Sequence, residues 1–161
     1  MKRHQKRPRS NFERDIKVKR RREQNGGFKC VSCRQQVVLN AFMGTANRNH
    51  CNMCLWSRHV DEKKGDRKAL CQARMQPIGL TFRIESHDRT GELMLIHICS
   101  GCPKISINRI AADDLDSEIM AVFKRSFELG SALRQRVLGN GVLFALKSDT
   151  RSVMAQLYGT R

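Results

Sequence analysis

Seven cysteines constrain this chain more than any other feature, because six of them form three pairs with two residues between the partners. The pairs are Cys30 with Cys33, Cys51 with Cys54 and Cys99 with Cys102, and Cys71 is the seventh thiol. Two thiolates at this spacing can curl round one tetrahedral zinc ion. Without a secretory signal or a βαβ pattern, this usage favours a metal over disulfides or a thioredoxin-like redox pair. Zinc is also favoured over an iron–sulfur cluster.

The eight ligands of two zinc sites can be supplied by the seven cysteines and one histidine. The compact spacing from Cys51 through Cys54 and His59 to Cys71 predicts one site of three thiolates and one imidazole. The remaining pairs, Cys30/Cys33 and Cys99/Cys102, then predict an all-thiolate site. His50 is the alternative eighth ligand, but it adjoins Cys51 and would reach the same metal only with strain, so His59 is preferred.

This grouping predicts an α+β fold, in which a small zinc-ribbon-like β-hairpin domain carries an inserted zinc loop with three cysteines and one histidine. Alternating apolar residues over Leu80–Glu85 and the apolar run Leu93–Ile98 predict the hairpin. Val37–Leu39 predicts a short strand. Helices are expected from about residue 113 to a C-terminal cap at Gly130, over Ser131–Leu138 and over 149–158. The acidic residues Asp113, Asp114, Asp116 and Glu118 suit the N-terminus of the first helix. The segment Val142–Leu146 reads as a strand or a buried stretch.

The chain is strongly basic, with 31 Lys and Arg against 15 acids and a formal net charge of +16. Such a charge indicates a polyanionic partner, and nucleic acid is the usual one. Residues 1–24 hold eleven of the basic residues and few apolar side chains, which predicts that 1–27 is a basic N-terminal arm, disordered when free. Gly26 and Gly27 are its expected hinge. Residues 28–112 are then the two-zinc domain and 113–161 a helical C-terminal extension.

Basic residues of the arm and of the local zinc loop are expected to contact nucleic-acid phosphates. They are Lys2, Arg3, Lys6, Arg7, Arg9, Arg14, Lys17, Lys19, Arg20, Arg21, Arg22, Arg48, Arg58, Lys63, Lys64, Arg67 and Lys68. Trp56 is expected to pack under the zinc loop, with stacking on an unpaired base as the alternative. Only 6% of the residues are aromatic, so phosphate and shape recognition of structured RNA is favoured over reading of bases.

Several of these residues fall in short motifs, which are Arg48-Asn49-His50-Cys51, Cys54-Leu55-Trp56-Ser57, His59-Val60-Asp61, Gly65-Asp66-Arg67, Cys71, Met75 to Ile78, Cys99 to Cys102, Asn108-Arg109 and Asp113-Asp114. Together these motifs resemble one family, the bacterial RNHCP domain. The chain departs from the family's pattern at Asn52 and Lys64, where the family has proline, and at Gln72-Ala73, where it has two glycines. The resemblance covers about residues 28–115 and implies a metal-binding domain, with no particular activity. Only in general type does the chain also resemble zinc-ribbon proteins of ribosomes.

Together these features predict a non-catalytic, cytoplasmic protein that binds zinc and RNA. The expected partners are ribosomal RNA and neighbouring ribosomal proteins, with no membrane and no small-molecule substrate. A DNA-binding zinc protein or regulator is the alternative. A second alternative is a metal-dependent nuclease of the His-Asn-His kind. Its general base and Mg²⁺ site would come from Arg48, Asn49, His50, Asp61, Glu62 and Asp66. A catalytic zinc keeps a position open for water, whereas seven cysteines and one histidine fill both predicted sites.

Overall fold

The computed structural model describes residues 27–39, 48–63, 65–84 and 90–159. The predicted arm lies outside these residues except for Gly27, and the division into three segments stays a prediction. Gly27 has a φ of +87°, and a Cβ at this position would lie 2.0 Å from the carbonyl oxygen of Val37. The chain therefore needs glycine where it enters the described structure.

In the part of the chain that the structure describes, six strands form two antiparallel sheets, which confirms the predicted mixture of strands and helices. The smaller sheet pairs β1 with β2, and the larger one has the order β3, β4, β5, β6. The bounds are Phe28–Lys29 for β1, Gln36–Val37 for β2, Ser57–Arg58 for β3, Arg74–Ile84 for β4, Thr90–Cys99 for β5 and Ile105–Arg109 for β6. The predicted hairpin is thus present as β4 and β5. Strand β4 begins at Arg74, earlier than predicted. Its first half shows no alternating pattern in the sequence, because Pro77 and a register shift before Gly79 interrupt the alternation.

The three predicted helices are confirmed, with α1 at Asp116–Ser126, α2 at Ser131–Gly139 and α3 at Thr150–Tyr158, the last preceded by a 3₁₀ turn at Lys147–Asp149. Gly130 is the N-cap of α2, so its prediction as the C-terminal cap of the preceding helix was wrong. Residues 142–146 form no strand. The backbone N–H of Ala145 donates a hydrogen bond to Leu80 O of β4 at 2.7 Å. Within the described ranges, no helix is long and apolar enough to cross a membrane.

Helices cover the larger sheet on both faces. On one face, Leu93 and Leu95 of β5 pack with residues of α1 and α3, namely Ile119, Val122, Phe123 and Val153. On the other face, Ile96 packs with Val137 of α2 and with Phe144. Successive side chains of a strand point to opposite faces, so a strand that is buried on both faces has a continuous run of apolar residues. Strand β5 has such a run at Leu93–Ile96. Each such side chain contributes about 1.5–3 kcal/mol on burial.

Candidate metal centres

The first two CxxC pairs converge in one cluster, site A, which consists of Cys30, Cys33, Cys51 and Cys54. The four Sγ atoms lie within 4.8 Å of one another. Cys30 and Cys54 are separated by 3.5 Å, and Cys33 and Cys51 by 3.6 Å. A tetrahedral zinc ion with Zn–S bonds of about 2.3 Å places its sulfur ligands about 3.8 Å apart. Site A therefore has the size and donor set of an all-thiolate zinc site.

A second cluster, site B, consists of His59, Cys71, Cys99 and Cys102. Its four donor atoms also lie within 4.8 Å of one another. The Sγ atoms of Cys71 and Cys99 are 3.6 Å apart, and Cys102 Sγ lies 3.3 Å from His59 Nδ1. Three thiolates and one imidazole at these distances suit a second zinc ion, so the structure supports the predicted two ions.

The structure brings together the eight side chains that the sequence suggested, but in a different grouping. Cys30 and Cys33 pair with Cys51 and Cys54, and not with Cys99 and Cys102. The two sites consequently follow one another along the chain, and the predicted inserted loop within a zinc ribbon is wrong. Strand β3 lies between Cys54 and His59, and its pairing with β4 places His59 at site B.

The pairing of the larger sheet explains how site B assembles. Strand β3 runs antiparallel to β4, and the backbone N–H of His59 donates to Ala73 O at 2.9 Å, which places His59 close to Cys71. In the next pairing, Met75 of β4 lies opposite Cys99 of β5. The three ligand-bearing segments therefore meet at one end of the sheet.

All three CxxC turns have the same local geometry, in which a backbone N–H two residues on donates to the Sγ of the first cysteine. The pairs are Ser32 to Cys30 at 3.3 Å, Met53 to Cys51 at 3.4 Å and Gly101 to Cys99 at 3.4 Å. The first cysteine's own N–H donates to the carbonyl five residues on, at Gln35, Trp56 and Lys104. These N–H groups stabilise negative charge on the sulfur, as a zinc-bound thiolate requires.

The thiols differ in how readily they ionise. Burial raises the pKa of Cys51 and Cys54, and it raises the pKa of Cys99 to about 11. Cys71 is exposed, and the backbone N–H of Ala73 lowers its pKa. Burial acts to raise the pKa of Cys33, but the N–H of Gln35 and the neighbouring thiols outweigh it and lower the pKa. Each site thus combines an exposed, readily ionised thiol with buried thiols that need a cation to stay ionised.

His50 lies outside both sites because Asp114 engages it. Its Nε2 donates to Asp114 Oδ2 at 2.7 Å, and the side chain of Arg48 contacts the carboxylates of both Asp113 and Asp114. Arg48 Nε also donates to His50 O at 2.9 Å. The side chains of Arg48 and Asp114 are both 0% exposed, so the prediction that Arg48 contacts nucleic acid was wrong. The sequence predicts that Asp113 and Asp114 begin a helix. Their partners, Arg48 and His50, lie far away in the chain.

A second buried histidine joins the surroundings of the two sites. His97 Nε2 donates to Leu55 O at 2.7 Å, and Asn108 Nδ2 donates to His97 Nδ1 at 2.9 Å. Desolvation, helped by nearby His50, lowers the pKa of His97 to about 3, so the ring is neutral with its proton on Nε2. Leu55 directly follows Cys54 of site A, and β5 carries His97 two residues before Cys99 of site B.

Comparison with known families agrees with these motifs, since the model of the RNHCP domain matches residues 25–120. The chain belongs to the RNHCP family. No curated protein and no solved structure matches it. The matched residues include both sites of the RNHCP domain and the Arg48, His50 and Asp114 contacts.

The acidic groups suggested for a nuclease have structural partners in this RNHCP domain. Asp61 accepts hydrogen bonds from Asn49 Nδ2 at 3.0 Å and from the backbone N–H of Arg67 at 2.8 Å. Desolvation acts to raise the pKa of Asp66, but three backbone N–H groups outweigh it and lower the pKa. His50 is only 2% exposed. Asp61 and Asp66 therefore hold the loop between His59 and Cys71 in shape.

The RNHCP domain places the other predicted contact residues differently. Lys63 and Lys68 are exposed, Arg58 is half-buried, and Arg67 lies 3.8 Å from a carboxylate oxygen of Asp61. Lys64 and all the arm residues predicted as contacts lie outside the described residues. Trp56 is half-buried against the cluster of Cys30, Val37 and Cys51, in agreement with packing at a zinc site.

Replacing His59 with alanine is expected to remove about one zinc ion per chain, because His59 supplies the imidazole of site B. Replacing His50 with alanine is expected to keep both ions and to lower the melting temperature, because the substitution removes a buried partner of Asp114. Zinc per chain in dialysed protein, measured by plasma mass spectrometry, and thermal unfolding check both results. Zinc loss in His50→Ala with full zinc in His59→Ala would contradict the assignment.

Proposed function

We propose that this RNHCP protein is a non-catalytic zinc protein that binds RNA. The observation that carries the proposal is the loop of residues 60–70, whose ends are the site B ligands His59 and Cys71. This loop exposes Lys63 and Lys68. A metal-anchored loop holds basic side chains in place at little further entropic cost, which suits it to phosphate binding.

The overall charge supports a polyanionic partner even with both sites loaded. Ionisation of seven thiols adds seven negative charges, and two Zn²⁺ ions add four positive charges. The formal net charge therefore falls from +16 to +13. Half of the original charge lies in residues 1–24. A segment of such charge gains most of its binding free energy from counterion release on a phosphate backbone.

Structured RNA suits these features better than DNA or catalysis. Reading a DNA groove usually takes a helix with a basic face. Among the described helices, the basic residues of α1 are confined to its last turn, and Arg134 and Arg136 of α2 donate to the carbonyl oxygens of Ser126 and Cys102. The His-Asn-His nuclease would need an accessible histidine, whereas His50 is buried against Asp114. Ribosomal RNA, with the protein bound to the ribosome in the cytoplasm, is the setting that we propose.

Sedimentation of the full-length protein with a cell lysate tests this function. We expect it to comigrate with a ribosomal subunit, to be released by ribonuclease, and to lose most of that association when residues 1–24 are deleted. For purified RNA, the deletion should weaken binding at least tenfold. It should also reduce the salt dependence, by about 0.9 in the log–log slope for each duplex phosphate that the protein no longer neutralises.

The zinc content of the truncated protein is the control, and it should remain at two ions per chain. A protein that sediments free of ribosomes and binds no purified RNA would overturn the function. Unchanged affinity and slope after the deletion would show that the arm is not the anchor. Tighter binding to duplex DNA than to RNA would favour the DNA alternative.

A further inference from the structure

Three arginines lie on one face of the larger sheet, at the end where site B sits. Arg58 of β3 lies directly opposite Arg74 of β4. Their neighbours Ser57 and Met75 are buried, and alternation turns the two arginines to the opposite face. That face is covered further along by α2, the helix that carries Arg136.

The turn of the last CxxC pair connects these residues. Arg74 O accepts hydrogen bonds from Ser100 N at 2.9 Å and Ser100 Oγ at 3.1 Å. Arg136 NH2 donates to Cys102 O at 3.2 Å. Both contacts anchor their residues to the same metal-held turn. We call Arg58, Arg74 and Arg136 the arginine face.

The arginine face concentrates positive charge. Like charges directly opposite on paired strands destabilise a sheet. Within the described part of the chain, neither Arg74 nor Arg136 forms an ion pair with a carboxylate. With Zn²⁺ bound, three thiolates and an imidazole give site B a formal charge of −1, which offsets only one of the two positive charges of Arg74 and Arg136. The face therefore has an excess of charge that an anion can balance.

We propose that the arginine face binds backbone phosphates of the nucleic acid; this inference rests on the proposed function and names the surface that performs it. A guanidinium group donates two parallel hydrogen bonds to phosphate oxygens, a geometry that lysine lacks. Arg74 is exposed, and Arg58 and Arg136 are half-buried, so all three side chains are accessible to solvent.

The surroundings of the face favour phosphate contacts over base stacking. Among the described aromatic side chains only Tyr158 is exposed, and it belongs to α3 on the opposite side of the sheet. The loop with Lys63 and Lys68 lies close by, since Lys104, just after the Cys102 turn, donates from Nζ to Glu62 O at 2.9 Å. Loop and arginine face thus flank site B.

Three full-length variants test the proposal against a fluorescent RNA hairpin and a DNA hairpin of the same sequence. The test variant carries Arg58→Gln, Arg74→Gln and Arg136→Gln. A matched control carries Lys124→Gln, Arg125→Gln and Arg151→Gln, three exposed positions on α1 and α3 that lose the same charge. A third variant changes the three arginines of the face to lysine.

We expect the test variant to bind the RNA hairpin at least tenfold more weakly at about 0.15 M salt, with a log–log salt slope smaller by about two to three. The matched control should change affinity less than threefold, and the lysine variant should keep the slope while losing part of the affinity. Two zinc ions in every variant exclude metal loss as the cause.

Equal weakening of the test variant and its matched control would overturn the inference, since binding would then follow net charge alone. Unchanged binding by the test variant would also overturn it while leaving RNA binding itself in place. If the unmodified protein binds neither hairpin, the proposed function fails, and the inference fails with it. Equal binding of the RNA and DNA hairpins through the face would support phosphate recognition and place RNA selectivity elsewhere.

Discussion

Replacing Cys30 and Cys51 together with serine is expected to remove one zinc ion per chain, whereas replacing Cys30 and Cys99 together is expected to remove both. Cys30 and Cys51 belong to site A, so their joint replacement disables one site. Cys99 belongs to site B, so the variant that lacks Cys30 and Cys99 loses a ligand from each of the two sites. Zinc per chain, measured by native mass spectrometry on the folded fraction, distinguishes the variants.

A cobalt titration keeps this test decisive if zinc loss unfolds part of the chain, because structural zinc contributes about 10–16 kcal/mol of apparent binding free energy. The Cys30 and Cys51 variant should retain the cobalt–thiolate absorption of a three-thiolate site, and the Cys30 and Cys99 variant should lose nearly all of it. The opposite order would restore the grouping of Cys30 with Cys99. Ser32→Ala, which changes the first turn without replacing a ligand, is a control that should keep both ions.

The sequence could identify the metal ligands because each CxxC turn is a local structure. A cysteine three residues after another can share its metal whatever the rest of the fold does, and the N–H to Sγ contacts of Ser32, Met53 and Gly101 repeat that local geometry. Which turns meet is decided by long-range strand pairing. The strand responsible for separating the sites, β3, has only two residues, too few to produce an alternating pattern.

The same distinction explains the fold. The β4–β5 hairpin and the three helices were predictable because their signals lie within a few residues, whereas the first half of β4 was hidden by Pro77 and the register shift before Gly79. The role of Asp114 depends on Arg48 and His50, which lie more than sixty residues earlier. Composition near Asp114 suggested a helix N-terminus, and nothing local indicated a buried ion pair.

The arrangement also indicates that the two sites share one framework. Leu55 follows the last ligand of site A, and its carbonyl accepts a hydrogen bond from His97, which lies next to site B along β5. His50, adjacent to Cys51, has its ring centroid 6.0 Å from that of His97. Because these groups are buried and hydrogen-bonded, the two sites are connected through packed side chains rather than through solvent.

Replacing Asp114 with asparagine is expected to be among the most destabilising changes outside the metal ligands. The substitution leaves the buried guanidinium of Arg48 without its full countercharge, and breaking a buried ion pair in this way costs about 3–5 kcal/mol. A domain of ordinary stability has about 5–15 kcal/mol in total, so the melting temperature should fall by more than about 10 °C at the usual scaling of several degrees per kcal/mol.

Asp113→Asn is the matched control, because Asp113 also contacts Arg48 but its side chain is 33% exposed. Solvent screens such a contact, and its removal should cost about 1 kcal/mol or less. Thermal and urea unfolding of the two zinc-loaded variants measure the difference. Equal free energies of unfolding for the two variants would show that Asp114 does not stabilise the buried guanidinium of Arg48 more than Asp113 does. A double variant, Arg48→Met with Asp114→Leu, should recover only part of the stability, since it removes both buried charges together but leaves His50 Nε2 and Ala111 N without their acceptor.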